Sequence, residues 1–190
     1  LSDAGYRTAY FGKWHVERSN DLGRFGWQEH VAQGTPRFSE HAKKLLGPNP
    51  GKRPWLTSGW VRGPEGYEDR ILYGVSDPAP VHTSLAVSTD LARRFLDGAM
   101  GQSQPWCCFV SVVEPHDPFL VGRDSYSRYD PGALPVPPNW NDDLRDRPGL
   151  YRKVRHGLDF SERQKREAAA CYYASISDID REYGALLEMV

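Results

Sequence analysis

The tetrapeptide Gly12-Lys13-Trp14-His15 follows directly on the strand-like run Thr8-Ala9-Tyr10-Phe11. It sets a cation, an aromatic wall and an imidazole at the carboxyl end of a β-strand, the end at which open α/β sheets bind ligands. On an extended segment, residues two apart point to the same side, so Lys13 and His15 can address one anionic group. A second strand-like run, Cys107 to Val113, closes in the same way with Glu114-Pro115-His116-Asp117-Pro118-Phe119. Taken singly, the first motif reads as a turn with an amphipathic tail. The second reads as a loop stiffened by a proline on each side of the His-Asp pair. A histidine delivered at each of two strand ends points instead to one shared site.

A chain of 190 residues suffices for one substantial core and is marginal for two. The net charge of −1 gives no case for nucleic acid or an anionic membrane surface, so any anion recognition must be local. No apolar run approaches the ~18 residues of a membrane span. The chain opens at Leu1 in mid-element and stops at Val190 inside a helical pattern, which reads as an internal piece of a longer protein. Cys107 and Cys108 are adjacent in a strand and point to opposite faces, while Cys171 falls in a helix. None has metal-ligand spacing, and all three are expected to be buried small hydrophobes.

Leu1 to Gly5 looks like a last helical turn, with Gly5 just past its end. From His15 to about Pro80 the chain is loop-rich. Gly47-Pro48-Asn49-Pro50-Gly51, Arg53-Pro54-Trp55, Gly59-Trp60 and Gly63-Pro64 punctuate it, and short strands or helical turns can hide there. So long an irregular stretch suggests a functional cap or lid. Thr83 to Ala99 reads as a helix with Val87, Leu91 and Phe95 in one stripe, joined by Ala92 and Leu96. Cys107–Val113 is nearly all apolar, as in a parallel strand buried on both faces. Helix, short turn, then buried strand is an α/β crossover. Asp117 to about Phe160 is irregular again. Its charged part from Asp142 to His156 is either a solvated loop or one that faces substrate.

The last segment is the clearest helix. Ser161 and Gln164 match a capping box, and Ala168, Tyr172, Ile176, Ile179, Tyr183, Leu186 and Val190 recur at helical spacing. Asp178 and Asp180 diverge by roughly 200° around such a helix, so salt bridging or capping is expected of them rather than a shared metal.

Lys13 offers a point charge with three donors, suited to a tetrahedral oxyanion such as sulfate or phosphate. His15 can orient or deprotonate a nucleophile, and His116 can protonate a leaving oxygen. No serine elbow, glycine-rich phosphate loop or HExxH motif occurs. The chain therefore carries the supporting part of a site and not its centre.

Leu1-Ser2-Asp3-Ala4-Gly5-Tyr6-Arg7-Thr8-Ala9-Tyr10-Phe11-Gly12-Lys13-Trp14-His15 resembles the segment that follows the nucleophile motif of type I sulfatases. Phe109 to Phe119 resembles that family's strand ending in a Pro-His-x-Pro turn. Tyr172 to Asp180, with Gly184 and Leu186-Leu187, is similar to the helix before its second metal-binding strand. Gly74-Val75-Ser76-Asp77-Pro78, with Asp90, Ala92 and Phe95, fits the intervening region more loosely.

The resemblance implies an alkaline-phosphatase-like three-layer α/β sandwich with a mostly parallel sheet. Residues 1–190 would be the central part of a single catalytic domain, incomplete at both ends. It implies hydrolysis of a sulfate monoester through a formylglycine nucleophile, with calcium as the metal. Lys13 would bind the sulfate and the nucleophile's oxygen. His15 would hydrogen-bond the formylglycine hydrate and help collapse the sulfated intermediate. His116 would contact the sulfate and assist departure of the alcohol, and Trp14 would be a packing wall. The family's Cys- or Ser-x-Pro-x-Arg motif, its metal-binding pairs and its second lysine have no counterpart here. They are expected outside residues 1–190. Two other readings stay open: a phosphonate or phosphate monoester hydrolase of the same superfamily, and a catalytically silent member that binds sulfated glycans.

Overall fold

The computed structural model describes residues 1–47, 54–77, 79, 82–156 and 159–190. Along the chain run β1 (Arg7–Gly12), β2 (Glu29–Ala32), α1 (Pro36–Leu46), β3 (Trp55–Val61), β4 (Arg70–Ser76), α2 (Thr83–Ala99), β5 (Trp106–Ser111), β6 (Phe119–Gly122), α3 (Arg123–Tyr126), α4 (Gly149–His156) and α5 (Glu162–Leu187). Single 3-10 turns lie at Ser2–Ala4, Leu22–Phe25 and Pro131–Ala133. The expected turns at Pro48–Pro50 and around Pro78 lie outside the described residues. Two compact units are formed. The first takes Leu1–Gly51, Val81–Glu114 and Asp178–Val190, and the second takes Lys52–Pro80 and Pro115–Ser177. Among the described residues no helix is long and apolar enough to cross a membrane.

In the first unit, three parallel strands lie in the order β2-β1-β5. Gly12 stands opposite Ala32 on one side and Ser111 on the other, so three carboxyl ends meet in register. Helix α2 packs across β1 and β5. Its Val87, Ala92, Phe95, Leu96 and Ala99 close on Ala9, Phe11 and Val31. Burial of each large apolar side chain there contributes about 1.5–3 kcal/mol. The helix occupies the span its apolar stripe predicts. Helix α1 falls within the stretch that reads as loop. The Thr35 hydroxyl accepts from the Phe38 N–H, and Pro36 opens the helix. Only Phe38 is buried, so the apolar period that would reveal α1 is missing.

Strand β5 departs from the expected burial on both faces. It pairs in parallel with β1, but its residues are half-buried and Phe109 is 51% exposed, stacked on Tyr10. Among the described residues β5 is an edge of its sheet, and an apolar composition does not by itself cover both faces of a strand. Cys107 and Cys108 are both only half-buried, contrary to expectation, although Cys108 packs against the core.

In the second unit, strands β3 and β4 pair antiparallel and β4 and β6 pair parallel, in the order β3-β4-β6. A Cβ on Gly59 would lie 2.1 Å from the Tyr73 ring, and one on Gly74 would lie 2.7 Å from Trp55. Both glycines are seats for aromatic rings on the partner strand. Cys171 and Ala174 of α5 bury against Tyr73, Val75 and Val121. The expected α5 stripe holds at Ala168, Tyr183 and Leu186, which pack against core, but Tyr172 and Ile176 are exposed, and the contact between them is made by the small residues Cys171 and Ala174. The capping box forms as read. The Ser161 hydroxyl accepts from Gln164 N–H, and the Gln164 side chain accepts from Ser161 N–H at 3.0 Å.

Among the described residues of this unit one carboxylate is buried. Glu167 accepts from Tyr73 Oη at 2.7 Å, Thr57 Oγ1 at 3.0 Å and Arg163 Nε at 2.8 Å. Burial opposes its ionisation, but the three donors outweigh that and hold its carboxyl below the ordinary carboxylate range.

Candidate functional site

Strand β1 ends at Gly12, whose φ of +108° is left-handed. A Cβ there would meet the Ser111 carbonyl oxygen at 1.8 Å and the Ser88 hydroxyl at 2.6 Å. Only glycine passes the chain between β5 and α2 at this point. The turn beyond it is pinned from both neighbouring strands. Gln33 N–H donates to Gly12 O at 2.8 Å, and Lys13 N–H donates to Ser111 O at 2.8 Å. Tyr10 Oη donates to Lys13 O at 2.6 Å.

Lys13 and His15 both lie past the strand end, the first half-buried and the second exposed. Among the described residues neither side chain is held in a hydrogen bond or ion pair. A cation and an imidazole without internal partners at a strand carboxyl end are free to meet an external group. Trp14 between them is 8% exposed and packs edge-on against Tyr10, with ring centroids 5.2 Å apart. Its Nε1 donates to Glu17 at 3.2 Å. It is the packing wall that the sequence suggests.

The loop that leaves β5 carries a cluster that sequence reading missed. His82, at the start of α2, sets Nδ1 3.9 Å from Glu114 Oε1 and Nε2 3.5 Å from Asp178 Oδ2. Asp178 also accepts from Arg181 Nη1 at 2.8 Å, which is the salt bridging expected of it. His82 Nε2, Ser88 Oγ and Glu114 Oε2 are buried without a hydrogen-bond partner. Beside them Ser84 Oγ accepts from Val113 N–H at 3.1 Å, and the Tyr183 hydroxyl donates to Val110 O at 3.2 Å. Burial, then the Glu114 and Tyr10 charges, pushes the Tyr183 phenol up. The only sequence signal for this cluster was Glu114's place beside Pro115-His116.

His116 belongs to the second unit, two residues after Glu114. Its side chain is 71% exposed. Nδ1 lies 2.7 Å from the Asp117 carbonyl oxygen and 3.0 Å from Asp117 Oδ1. Both are acceptors, so a ring that carries a proton on Nδ1 fits there.

The three cysteines lie outside any Cys-x-Pro-x-Arg sequence. Among the described residues no three His, Cys, Asp or Glu side chains gather as a cation cage. The His82 cluster does not serve as one, because its carboxylates approach different nitrogens of one ring. The residues present thus do not fit a calcium ion or a formylglycine.

Parallel strands whose carboxyl ends present a free lysine and a free histidine define an α/β protein with a strand-end site suited to anions. The chain belongs to the sulfatase family, whose model matches residues 1–190. Its parallel and mixed sheets fit part of an alkaline-phosphatase-like fold. The chain is similar to the choline-sulfatase of Rhizobium meliloti (strain 1021), with 29% identity over 206 residues. That match covers 99% of this chain and 37% of the relative. It is also similar to the uncharacterized sulfatase YidJ of Escherichia coli (strain K12), with 25% identity over 157 residues. There the match covers 80% of this chain and 29% of the relative. The chain spans about a third of the length of these relatives.

Proposed function

We propose that the whole protein hydrolyses a sulfate monoester and that residues 1–190 are the central part of its catalytic domain. Lys13 neutralises and orients the anionic sulfate oxygens while the S–O ester bond breaks and its electron pair passes to the leaving oxygen. His116 gives its Nε2 proton to the departing alkoxide, so that an alcohol leaves. His15 takes up and returns a proton at the attacking oxygen. The nucleophile, a formylglycine, and the calcium that accompanies it are supplied by residues outside 1–190.

The observation that carries this reading is the turn after β1, where Lys13 and His15 have no side-chain partner among the described residues in a chain of the sulfatase family. The test uses the full-length protein with 4-nitrophenyl sulfate, 4-nitrophenyl phosphate and phenyl phosphonate esters. Turnover of the sulfate well above the other two is expected. Turnover of phosphorus esters alone would replace the reading with that of a phosphate or phosphonate hydrolase. Binding of a sulfated sugar with no turnover of any ester would make the protein a silent member.

A further inference from the structure

We propose that Tyr10 is a positioning residue for Lys13, its hydroxyl fixing the main chain from which the ammonium reaches the anionic ester. This rests on the reading of Lys13 as the cation that neutralises sulfate.

Lys13 carries its charge on a flexible four-carbon stem. No side-chain partner holds the ammonium among the described residues, so the main chain is what aims it. That main chain is held at two atoms. The N–H is tied to Ser111 O across the β1–β5 register. The carbonyl oxygen is tied to Tyr10 Oη at 2.6 Å. The first tie is made by the strand pairing itself. The second is made by one side chain three residues back, and it resists rotation of the Lys13–Trp14 peptide.

Tyr10 is suited to be a fixed post. It is 6% exposed. Its ring lies parallel to Phe109, with 8° between planes and 5.1 Å between centroids. Trp14 and Trp27 meet it edge-on at 5.2 and 5.3 Å. An aromatic ring with two torsions in such a cage has little freedom. Phenylalanine at position 10 would keep every ring contact and delete a single donor.

The test is a double-mutant cycle in the full-length protein: Tyr10→Phe, Lys13→Ala and both together. Rates are read on 4-nitrophenyl sulfate, and binding of inorganic sulfate is read by calorimetry. Misplacement of a reacting group by a fraction of an ångström to 1 Å costs up to about 10²-fold. Tyr10→Phe is accordingly expected to lower kcat/KM, and to weaken sulfate binding, on the order of 10-fold. In the Lys13→Ala background the same change is expected to cost nothing further. Equal losses in both backgrounds would overturn the inference, since Tyr10 would then act on general structure. Full activity and sulfate affinity in Tyr10→Phe would overturn it too, while leaving the sulfatase reading in place. Intact rates and sulfate binding in Lys13→Ala would remove the role of Lys13 itself and this inference with it.

Discussion

The hydroxyl of Tyr73 donates to Glu167 across 2.7 Å, tying β4 to α5 over 94 residues of sequence. Burial, then the Glu167 carboxylate, pushes the Tyr73 phenol up. The carboxylate is itself held low by Arg163, Tyr73 and Thr57 against the opposing effect of burial.

The signs of these two shifts set a pH window for that tie. A carboxyl with a lowered folded pKa stabilises above its ordinary 4.5 and loses that contribution as pH falls through the folded value. A phenol with a raised folded pKa stabilises below its ordinary 10.0 and loses the contribution as pH rises past it. Glu167→Ala strands the buried Tyr73 hydroxyl and the half-buried Thr57 hydroxyl and is expected to cost about 2–4 kcal/mol at neutral pH. Chemical denaturation of both forms at pH 3, 7 and 11 should show the gap widest at pH 7. A constant gap would mean that cavity formation, not ionisation, carries the loss.

His116 and Lys13 are expected to separate by leaving group. His116→Ala should lower the rate on an alkyl sulfate by roughly 10²–10⁴-fold, because an alkoxide needs the proton. A nitrophenolate leaves as a stable anion and should lose much less. Lys13→Ala should hurt both esters alike, since the sulfate oxygens are common to both. Measuring kcat/KM for the two esters in each variant decides it. Equal losses for His116→Ala would make that residue a sulfate binder only.

His82→Leu should lower stability by about 1–3 kcal/mol, since Glu114 and Asp178 would lose the polar ring between them. Glu114→Gln should cost less, because the amide keeps a polar group of the same size beside the imidazole. Thermal melts of both variants check the order. A neutral His82→Leu would show that the carboxylates find water instead.

Burial, with Cys107 and Glu29 behind it, pushes the Cys108 thiol up to about 12. Burial, then Glu167, does the same for Cys171. At pH 8 each is thiolate to only about one part in 10⁴, so iodoacetamide should leave both unmodified in the native protein. Labelling should follow unfolding in urea. Mass spectrometry of native and unfolded samples distinguishes the two sites, and rapid native labelling of Cys108 would contradict the burial described.

What could be read from sequence follows from how each element buries its surface. Helix α2 was legible because Val87, Phe95 and Leu96 repeat on a wide apolar face. Strands β3 and β4 were not, because Gly59 and Gly74 look like breakers and instead seat Tyr73 and Trp55. In α5 the large apolar residues set the visible period, while the buried contact to the second sheet is made by Cys171 and Ala174. The turn that ends β1 was legible because Lys13 follows a glycine, whose backbone limits show in any sequence, whereas His116 lies five residues past the end of β5 and in the second unit. The cluster of His82, Glu114 and Asp178 joins residues far apart in the chain, and no local pattern announces it.

Gly12 has a consequence for how variants of this protein are interpreted. Saturation mutagenesis across positions 12–15 would return the sharpest loss at a residue with no side chain and no chemistry. Every replacement there drives a carbon into Ser111 O and Ser88 Oγ. Tolerance maps of the motif therefore mix two kinds of intolerance. Position 12 reports whether the chain can thread between a strand and a helix, while Lys13 and His15 report what is done once it has.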